Sequence, residues 1–294
     1  ESPSLLVVVL DVNPFTWQTA PISFDEALKQ LLVFMNAYLA LKHDNAMAII
    51  ATSYNFCEFL YPDAPMDAET PTDSAAAMAS STEGNLYPKF KHLDEQVLTQ
   101  IRLLIQKHVQ HTATPADNDT DSDPTKPRNS VQMTIALSRA LCYINRYRST
   151  DSIMHLQPRI LVLSASADAS SQYIQIMNCI FACQKLSIPL DACKIYGDDS
   201  TFLQQATSIT NGIYVRLSHP RGLLEYLMFS FLPDAYARQF LVAPSPTSVD
   251  FRAACFCHKK IVDIGYVCSV CLSIFCAFTP VCSTCRTKFA FTPQ

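Results

Sequence analysis

Leu5-Leu-Val-Val-Val-Leu10, closed by Asp11, is the stretch that decides the fold. Six consecutive apolar residues, three of them β-branched, are too few for a buried helix and too uniform for a strand with one wet face. They read as a central parallel strand buried on both faces. The residues on either side agree. Ser23-Phe-Asp-Glu26 matches a capping box, with Ser23 as N-cap and Glu26 reaching back. Leu28, Leu31, Leu32, Met35 and Leu39 then recur at helical spacing to about residue 41. Residues 46–51 and 56–61 read as two more strands, 159–164, 188–195 and 213–217 as further ones. Helices are expected over 89–109, 130–148, 170–185, 201–209 and 223–232. Val97, Leu98, Ile101, Leu104 and Ile105 would form the buried face of the first of these, and Ile174, Met177, Ile180 and Phe181 that of the third. Asn211-Gly212 is a helix stop signal, and Pro233 ends the last apolar helix. Strands and helices alternate, so the expectation is an α/β domain: an open, mostly parallel sheet with helices on both faces.

Composition sets limits on this domain. The chain has 294 residues, 49% of them hydrophobic, enough for one sizeable core and a small appended module. Charged residues make up only 16%. That fits either a surface partly covered by a partner or a large, well-buried core. The net charge of −4 excludes the chain as a whole from binding nucleic acid by electrostatics. No run reaches the roughly 20 apolar residues of a membrane span. The apolar run at 5–10 has neither the basic flank nor the cleavage site of a signal peptide. Without a secretion signal, twelve cysteines read as core residues or metal ligands rather than as a disulfide framework.

Two polar insertions interrupt the pattern. Residues 62–84 are rich in Ala, Ser, Thr, Pro and acid, and are expected to be an exposed loop or a segment that folds only on binding. Residues 112–129 carry Asp117, Asp119, Asp121 and Asp123. Alternating aspartates can form a calcium loop, but this stretch lacks both the turn glycine and the closing Glu. The expected organisation is an α/β domain over 1–242, a proline-rich linker over 243–250 and a cysteine-rich module over 251–294.

In that module Cys268-x-x-Cys271 and Cys282-x-x-Cys285 are separated by ten residues. A C-x-x-C turn aims two sulfurs at one ion while backbone amides donate to them, and two such turns complete a tetrahedron. Cys268, Cys271, Cys282 and Cys285 are therefore expected to bind zinc. Cys255, Cys257, Cys276 and His258 offer a second, interleaved ligand set; the alternative is that these cysteines pack as small apolar residues. An all-cysteine site has no open coordination position, so its zinc would be structural, and so small a module would owe most of its folding to it. Ile264, Tyr266, Val267, Val270, Leu272, Ile274, Phe275, Phe278 and Phe289 are many apolar residues for such a unit, and some should pack on the first domain or on a partner. The module has five basic residues, Arg252, Lys259, Lys260, Arg286 and Lys288, against the single acid Asp263. Four bound thiolates and one Zn²⁺ would cut that surplus to about +2. Direct contact with DNA is expected to be weak or absent.

No catalytic constellation is legible. The five glycines form no phosphate-cradling loop, and no G-x-S-x-G elbow occurs. Cys57, Cys142, Cys179, Cys183 and Cys193 lie in expected strands or helices and read as core thiols. Asp11 ends the first strand, where open parallel sheets place their ligand crevice. A metal site there would want serines after it, but the chain reads Asp11-Val-Asn13-Pro14-Phe15, with Trp17 close by, and Asp168 follows the strand at 159–164 only later. Asp11 is expected to hydrogen-bond its own turn.

The entry to the module, Asp250-Phe-Arg-Ala-Ala-Cys-Phe-Cys-His258, and its centre, Ile264-Gly-Tyr-Val-Cys-Ser-Val-Cys-Leu-Ser-Ile-Phe-Cys276, resemble one family closely. So do Val8-Val-Leu-Asp-Val-Asn-Pro14 with Trp17, Phe59-Leu-Tyr-Pro62, Ala140-Leu-Cys-Tyr-Ile144 and Gln172-Tyr-Ile-Gln-Ile-Met-Asn178. Ile188-Pro-Leu-Asp-Ala-Cys193, Leu203-Gln-Gln-Ala206 and Phe231-Leu-Pro-Asp234 continue the likeness in order. The family is the smaller von Willebrand A-type, zinc-finger subunit of the general transcription and DNA-repair factor TFIIH. The resemblance implies a von Willebrand A-like domain followed by a C4-type zinc finger, in a non-catalytic nuclear subunit. It also implies heteromeric assembly with the larger von Willebrand A-type, zinc-bearing subunit and with other TFIIH core subunits. The implied roles are RNA polymerase II transcription initiation and nucleotide excision repair. Two other readings were open to the residues alone: a RING-type ubiquitin ligase and a metal-dependent adhesion-type module using Asp11.

Overall fold

The computed structural model describes residues 3–62, 88–113, 131–150, 156–169, 172–242, 244, 249–258 and 260–289. The insertions expected at 62–84 and 112–129, their aspartates included, lie outside these residues except at their ends, as do Lys259 and most of the expected linker.

The opening stretch is β1 (Ser4–Asp11), and its alternating side chains split between two cores. Leu6, Val8 and Leu10 face one helical layer, Leu5, Val7 and Val9 the other, and none is more than 3% exposed. A strand covered on both sides cannot afford a polar residue, which is why the run is continuous. β1 pairs in parallel with β2 (Ala46–Thr52) on one side and β4 (Gln157–Ser164) on the other. β5 (Leu190–Lys194) and β6 (Tyr214–Arg216) continue the parallel sheet, and β3 (Cys57–Tyr61) closes the far edge antiparallel to β2. The order is β3-β2-β1-β4-β5-β6.

One layer contains α2 (Phe24–Leu41), α3 (Pro88–Ala113) and the last helical segment. The other contains α4 (Met133–Thr150), α5 (Tyr173–Lys185) and α6 (Thr201–Thr210). This is the open, mostly parallel sheet with helices on both faces expected from the alternation, and it agrees with the von Willebrand A-like domain that the resemblance implied. Among the described residues no helix is long and apolar enough to cross a membrane.

Local signals set the ends of the helices. The Ser23 hydroxyl accepts from the Glu26 N–H at 3.2 Å, the first half of the capping box. Asn211 takes the left-handed conformation (φ 56°) after α6, and the Gly212 N–H donates to Thr207 O at 2.8 Å. Gly212 is there for space. A Cβ at this position would stand 1.9 Å from the Leu190 carbonyl oxygen and 2.6 Å from its carbon, both of them backbone. Gly212→Ala must push β5 and the α6–β6 turn apart. The expected loss is about 3 kcal/mol, read as a lower urea midpoint; an unchanged midpoint would show that the turn relaxes freely.

Several expectations are corrected. On α5 the inward residues are Ile176, Cys179, Ile180 and Cys183, while Phe181 is 52% exposed. Bulk led the sequence reading to Phe181, but the helix rotates its small thiols toward α4 and the sheet. On α3 Leu93, Val97 and Ile101 are buried, but Ile105 is half exposed. The last apolar helix is only one α-turn, α7 (Leu223–Tyr226), followed by a wider π-turn over Leu227–Phe231. Leu227 and Phe231 both face the core there. Cys142 is exposed, whereas Cys57, Cys179, Cys183 and Cys193 are buried. Burial pushes the Cys57 thiol up to about 11 and those of Cys183 and Cys193 up to about 12, which keeps them protonated and inert.

Candidate metal centre

The cysteine-rich module is organised by a two-stranded hairpin, β7 (Tyr266–Val267) and β8 (Ile274–Phe275), paired antiparallel. Cys268 and Cys271 sit in the turn between the strands, and Cys276 directly follows β8. Gly265 lets the strands close: a Cβ there would stand 2.7 Å from the Ile274 side chain and 3.3 Å from the Phe275 carbonyl.

The two C-x-x-C turns are built alike. The Cys268 N–H donates to Ser273 O and the Leu272 N–H to Cys268 O, both at 2.9 Å. Their counterparts are Cys282 N–H to Thr287 O and Arg286 N–H to Cys282 O, again at 2.9 Å. Leu272 and Arg286, each just after the second cysteine, both take φ 60°. Repeating this geometry places four sulfurs around one point. Cys268 Sγ is 3.7 Å from Cys285 Sγ, and Cys271 Sγ is 3.6 Å from Cys282 Sγ. Four thiolates held tetrahedrally at about 2.3 Å from one ion stand roughly 3.8 Å apart. Both of these pairs match that spacing.

Two hydroxyls complete the arrangement. Ser273 Oγ lies 3.1 Å from Cys271 Sγ, and Thr287 Oγ1 lies 3.1 Å from Cys285 Sγ. The Ser273 hydroxyl, then its backbone N–H, hold the Cys271 thiol down at about 6. The Thr287 hydroxyl and N–H lower the Cys285 thiol in the same way. Both hydroxyls thus favour the thiolate, the form that binds metal. Sequence reading missed these hydroxyls, although the repeated C-x-x-C-x-Ser/Thr pattern was there to be seen.

Cys255, Cys257, His258 and Cys276 form the second group. Cys257 Sγ is 3.5 Å from Cys276 Sγ, and His258 Nδ1 is 3.2 Å from that same sulfur. Within each of the two groups the donor atoms all lie within 4.8 Å of one another, an arrangement that could hold a metal ion. At Cys255 burial raises the thiol, but the Lys260 and His258 N–H donors outweigh it and bring it to about 6. The two groups interleave along the chain, and the hairpin links them. Cys268, Cys282 and Phe275 make a small core with Phe256 and Phe289 against it.

The module's entry is tied to the α/β domain. Gln205 Nε2, on α6, donates to Asp250 O at 2.5 Å and to Arg252 O at 3.5 Å. Arg252 bridges Asp250 (2.7 Å) and Asp263, so one of the five basic residues is neutralised locally. The module nonetheless leaves Ile264 86%, Leu272 71% and Val270 64% exposed.

The Asp11 crevice is built differently from a metal site. Asp11 is fully buried. Its Oδ1 accepts from Asn13 N–H at 3.0 Å, and its Oδ2 from Ala165 N–H at 3.0 Å and Ser166 N–H at 2.6 Å. Burial raises its pKa and these donors oppose the rise. Asn13 caps the short helix α1 (Pro14–Trp17), and Trp17 Nε1 donates to Asp11 O at 2.8 Å. Asp168 caps α6, accepting from Ser200 Oγ at 2.5 Å and Phe202 N–H at 3.1 Å. The two carboxylates are thus spent on backbone and caps. The expected turn bond at Asp11 is present, and among the described residues these carboxylates belong to no cluster of three or more His, Cys, Asp or Glu ligands.

Residues 3–286 match the protein-family model described as Transcription factor Tfb4. The general transcription and DNA repair factor IIH subunit tfb4 of Schizosaccharomyces pombe is 42% identical over 298 residues, covering 100% of this chain and 91% of that protein. The corresponding subunit TFB4 of Arabidopsis thaliana is 40% identical over 287 residues, covering 97% and 89%. Among solved structures, the crystal structure of the TFIIH p34 N-terminal domain matches with a TM-score of 0.60 and 33% identity, covering 78% of this chain and 97% of that one.

Proposed function

Since the chain belongs to the Transcription factor Tfb4 family, we propose that it is a non-catalytic scaffold subunit of the general transcription and DNA repair factor IIH. In this reading it acts in the nucleus, in RNA polymerase II transcription initiation and nucleotide excision repair. It is the smaller von Willebrand A-type subunit, and its direct partner is the larger, zinc-bearing one, with other TFIIH core subunits around them. Residues 1–242 form the von Willebrand A-like domain, 243–250 the linker and 251–294 the zinc finger. Cys268, Cys271, Cys282 and Cys285 hold one structural zinc, and Cys255, Cys257, His258 and Cys276 hold a second.

The observation that carries this reading is the apolar surface of the cysteine module. Ile264, Val270 and Leu272 are more than half exposed on a unit whose buried apolar cluster is Cys268, Phe275 and Cys282. Such a face is stable in water only at some cost, and covering it with a partner removes that cost. The closed ligand geometry agrees, because it leaves no open coordination position for catalysis.

Co-expression with the larger subunit should give a heterodimer that survives moderate salt. Native mass spectrometry should find two zinc ions in this chain. Failure of the two chains to co-purify would overturn the partner assignment, and a single ion would remove the second site.

A further inference from the structure

The crevice at the carboxyl ends of β1, β4 and β5 contains a cation of the chain's own. Lys194 ends β5, and only 2% of it is exposed. Its Nζ donates to the Ala165 carbonyl at 3.2 Å and the Ser166 carbonyl at 2.5 Å. The N–H groups of those same two residues donate to Asp11. The turn after β4 is therefore gripped on both edges, its amides by a carboxylate and its carbonyls by an ammonium. Ser166 extends the grip: its Oγ meets Thr16 Oγ1 at 3.0 Å and accepts from Asn13 Nδ2 at 3.4 Å. One turn thus fixes α1, β4 and β5 together.

A buried ammonium is tolerated only where opposite charge and acceptors surround it. Burial lowers the Lys194 pKa, while Asp168, Asp11, Asp198 and Asp199 act in the opposite direction. Those are the charged groups that face it from β1 and from the loops after β4 and β5. In an open parallel sheet this crevice is where a ligand or ion normally enters. Divalent cations bind carboxylate oxygens at about 2.0–2.6 Å. Both Asp11 oxygens already accept backbone N–H, and a fixed positive charge sits on the same turn.

We infer that Lys194 is the permanent cation of this crevice, fixing the Ala165–Ser166 turn through its charge and making this face of the domain independent of divalent metal. The role belongs to the ammonium and not to the apolar stem. Lys194→Met keeps the stem and removes the charge.

The test is thermal melting of the full chain with and without millimolar Mg²⁺, followed by the Lys194→Met variant. The wild-type melting temperature should not move with Mg²⁺. The variant should melt about 10 °C lower, as expected when one partner of a buried charge cluster is removed. A Mg²⁺-dependent rise in wild-type melting would overturn the inference. So would a Lys194→Met variant that melts with the wild type. The wild-type measurement needs no variant, so it decides the metal question even where Lys194→Met fails to fold.

Discussion

Cys285→Ala unfolds the C-terminal module and leaves the α/β domain folded. The module has little else to hold it. Its hairpin has two residues per strand, and its buried core is Cys268, Phe275 and Cys282. Two of those three are themselves ligands in the proposed site. A structural zinc contributes of order 10–16 kcal/mol to folding in isolated zinc peptides. That is more than such a core can supply, so losing one of four ligands removes most of the module's stability. The same outcome is expected for Cys268→Ala, and for a strong chelator acting on the wild type. Limited proteolysis should cut the variant within residues 251–294. The far-UV helical signal should stay unchanged, because every helix among the described residues lies before residue 242. Loss of that signal along with the module would show that the two parts unfold as one unit. A protease-resistant variant would show that the metal is dispensable.

Asp191→Ala destabilises the α/β domain by about 3–5 kcal/mol. Asp191, on β5, is wholly buried and binds Arg238 through both guanidinium nitrogens, at 3.0 and 2.6 Å. It also accepts the Ile213 N–H at 2.9 Å, and Arg159 of β4 stands 3.9 Å away. Arg159 in turn donates to the Pro233 and Leu232 carbonyls, at 3.0 and 3.3 Å, and lies over the Tyr38 ring. One carboxylate therefore offsets two guanidinium groups and fastens the segment after the π-turn beneath the sheet. Without it, Arg159 stays buried with Asp234 as its nearby opposite charge among the described residues, and Asp234 is already paired with Lys42. The penalty is mostly that stranded charge and not the lost attraction. Urea unfolding should therefore show Asp191→Leu combined with Arg159→Met to be more stable than Asp191→Ala alone. A loss below about 1 kcal/mol for Asp191→Ala would mean that water reaches Arg159 and solvates it.

The two results divide the protein according to what local sequence can encode. Periodicity and caps are local, so Leu5–Leu10, the Ser23 box and the Asn211-Gly212 stop were legible, and with them the layered α/β plan. The cysteine spacing is also local: it dictated two like turns, and these carry the sulfurs to 3.6–3.7 Å. The repeated hydroxyls at Ser273 and Thr287 were just as local and were passed over for want of a reason to look. Rotation of a helix about its own axis is not local. Phe181 and Ile105 are as apolar as their neighbours, and only the shape of the opposing layer turned them outward.

The opening strand shows the limit most plainly. By itself the sequence determined that Leu5–Leu10 is central and that Asp11 ends it, because an unbroken apolar run has nowhere else to go. That Asp11 bonds its own turn through Asn13 was local; that it also holds a second turn was decided only by the tertiary structure. The partners in that second turn lie 154 and 155 residues away, at Ala165 and Ser166. The lysine that grips the same turn comes from β5, the next strand in the sheet after β4. Burial turns such distant groups into obligatory partners, since a charge removed from water must find its counterpart wherever the fold brings one.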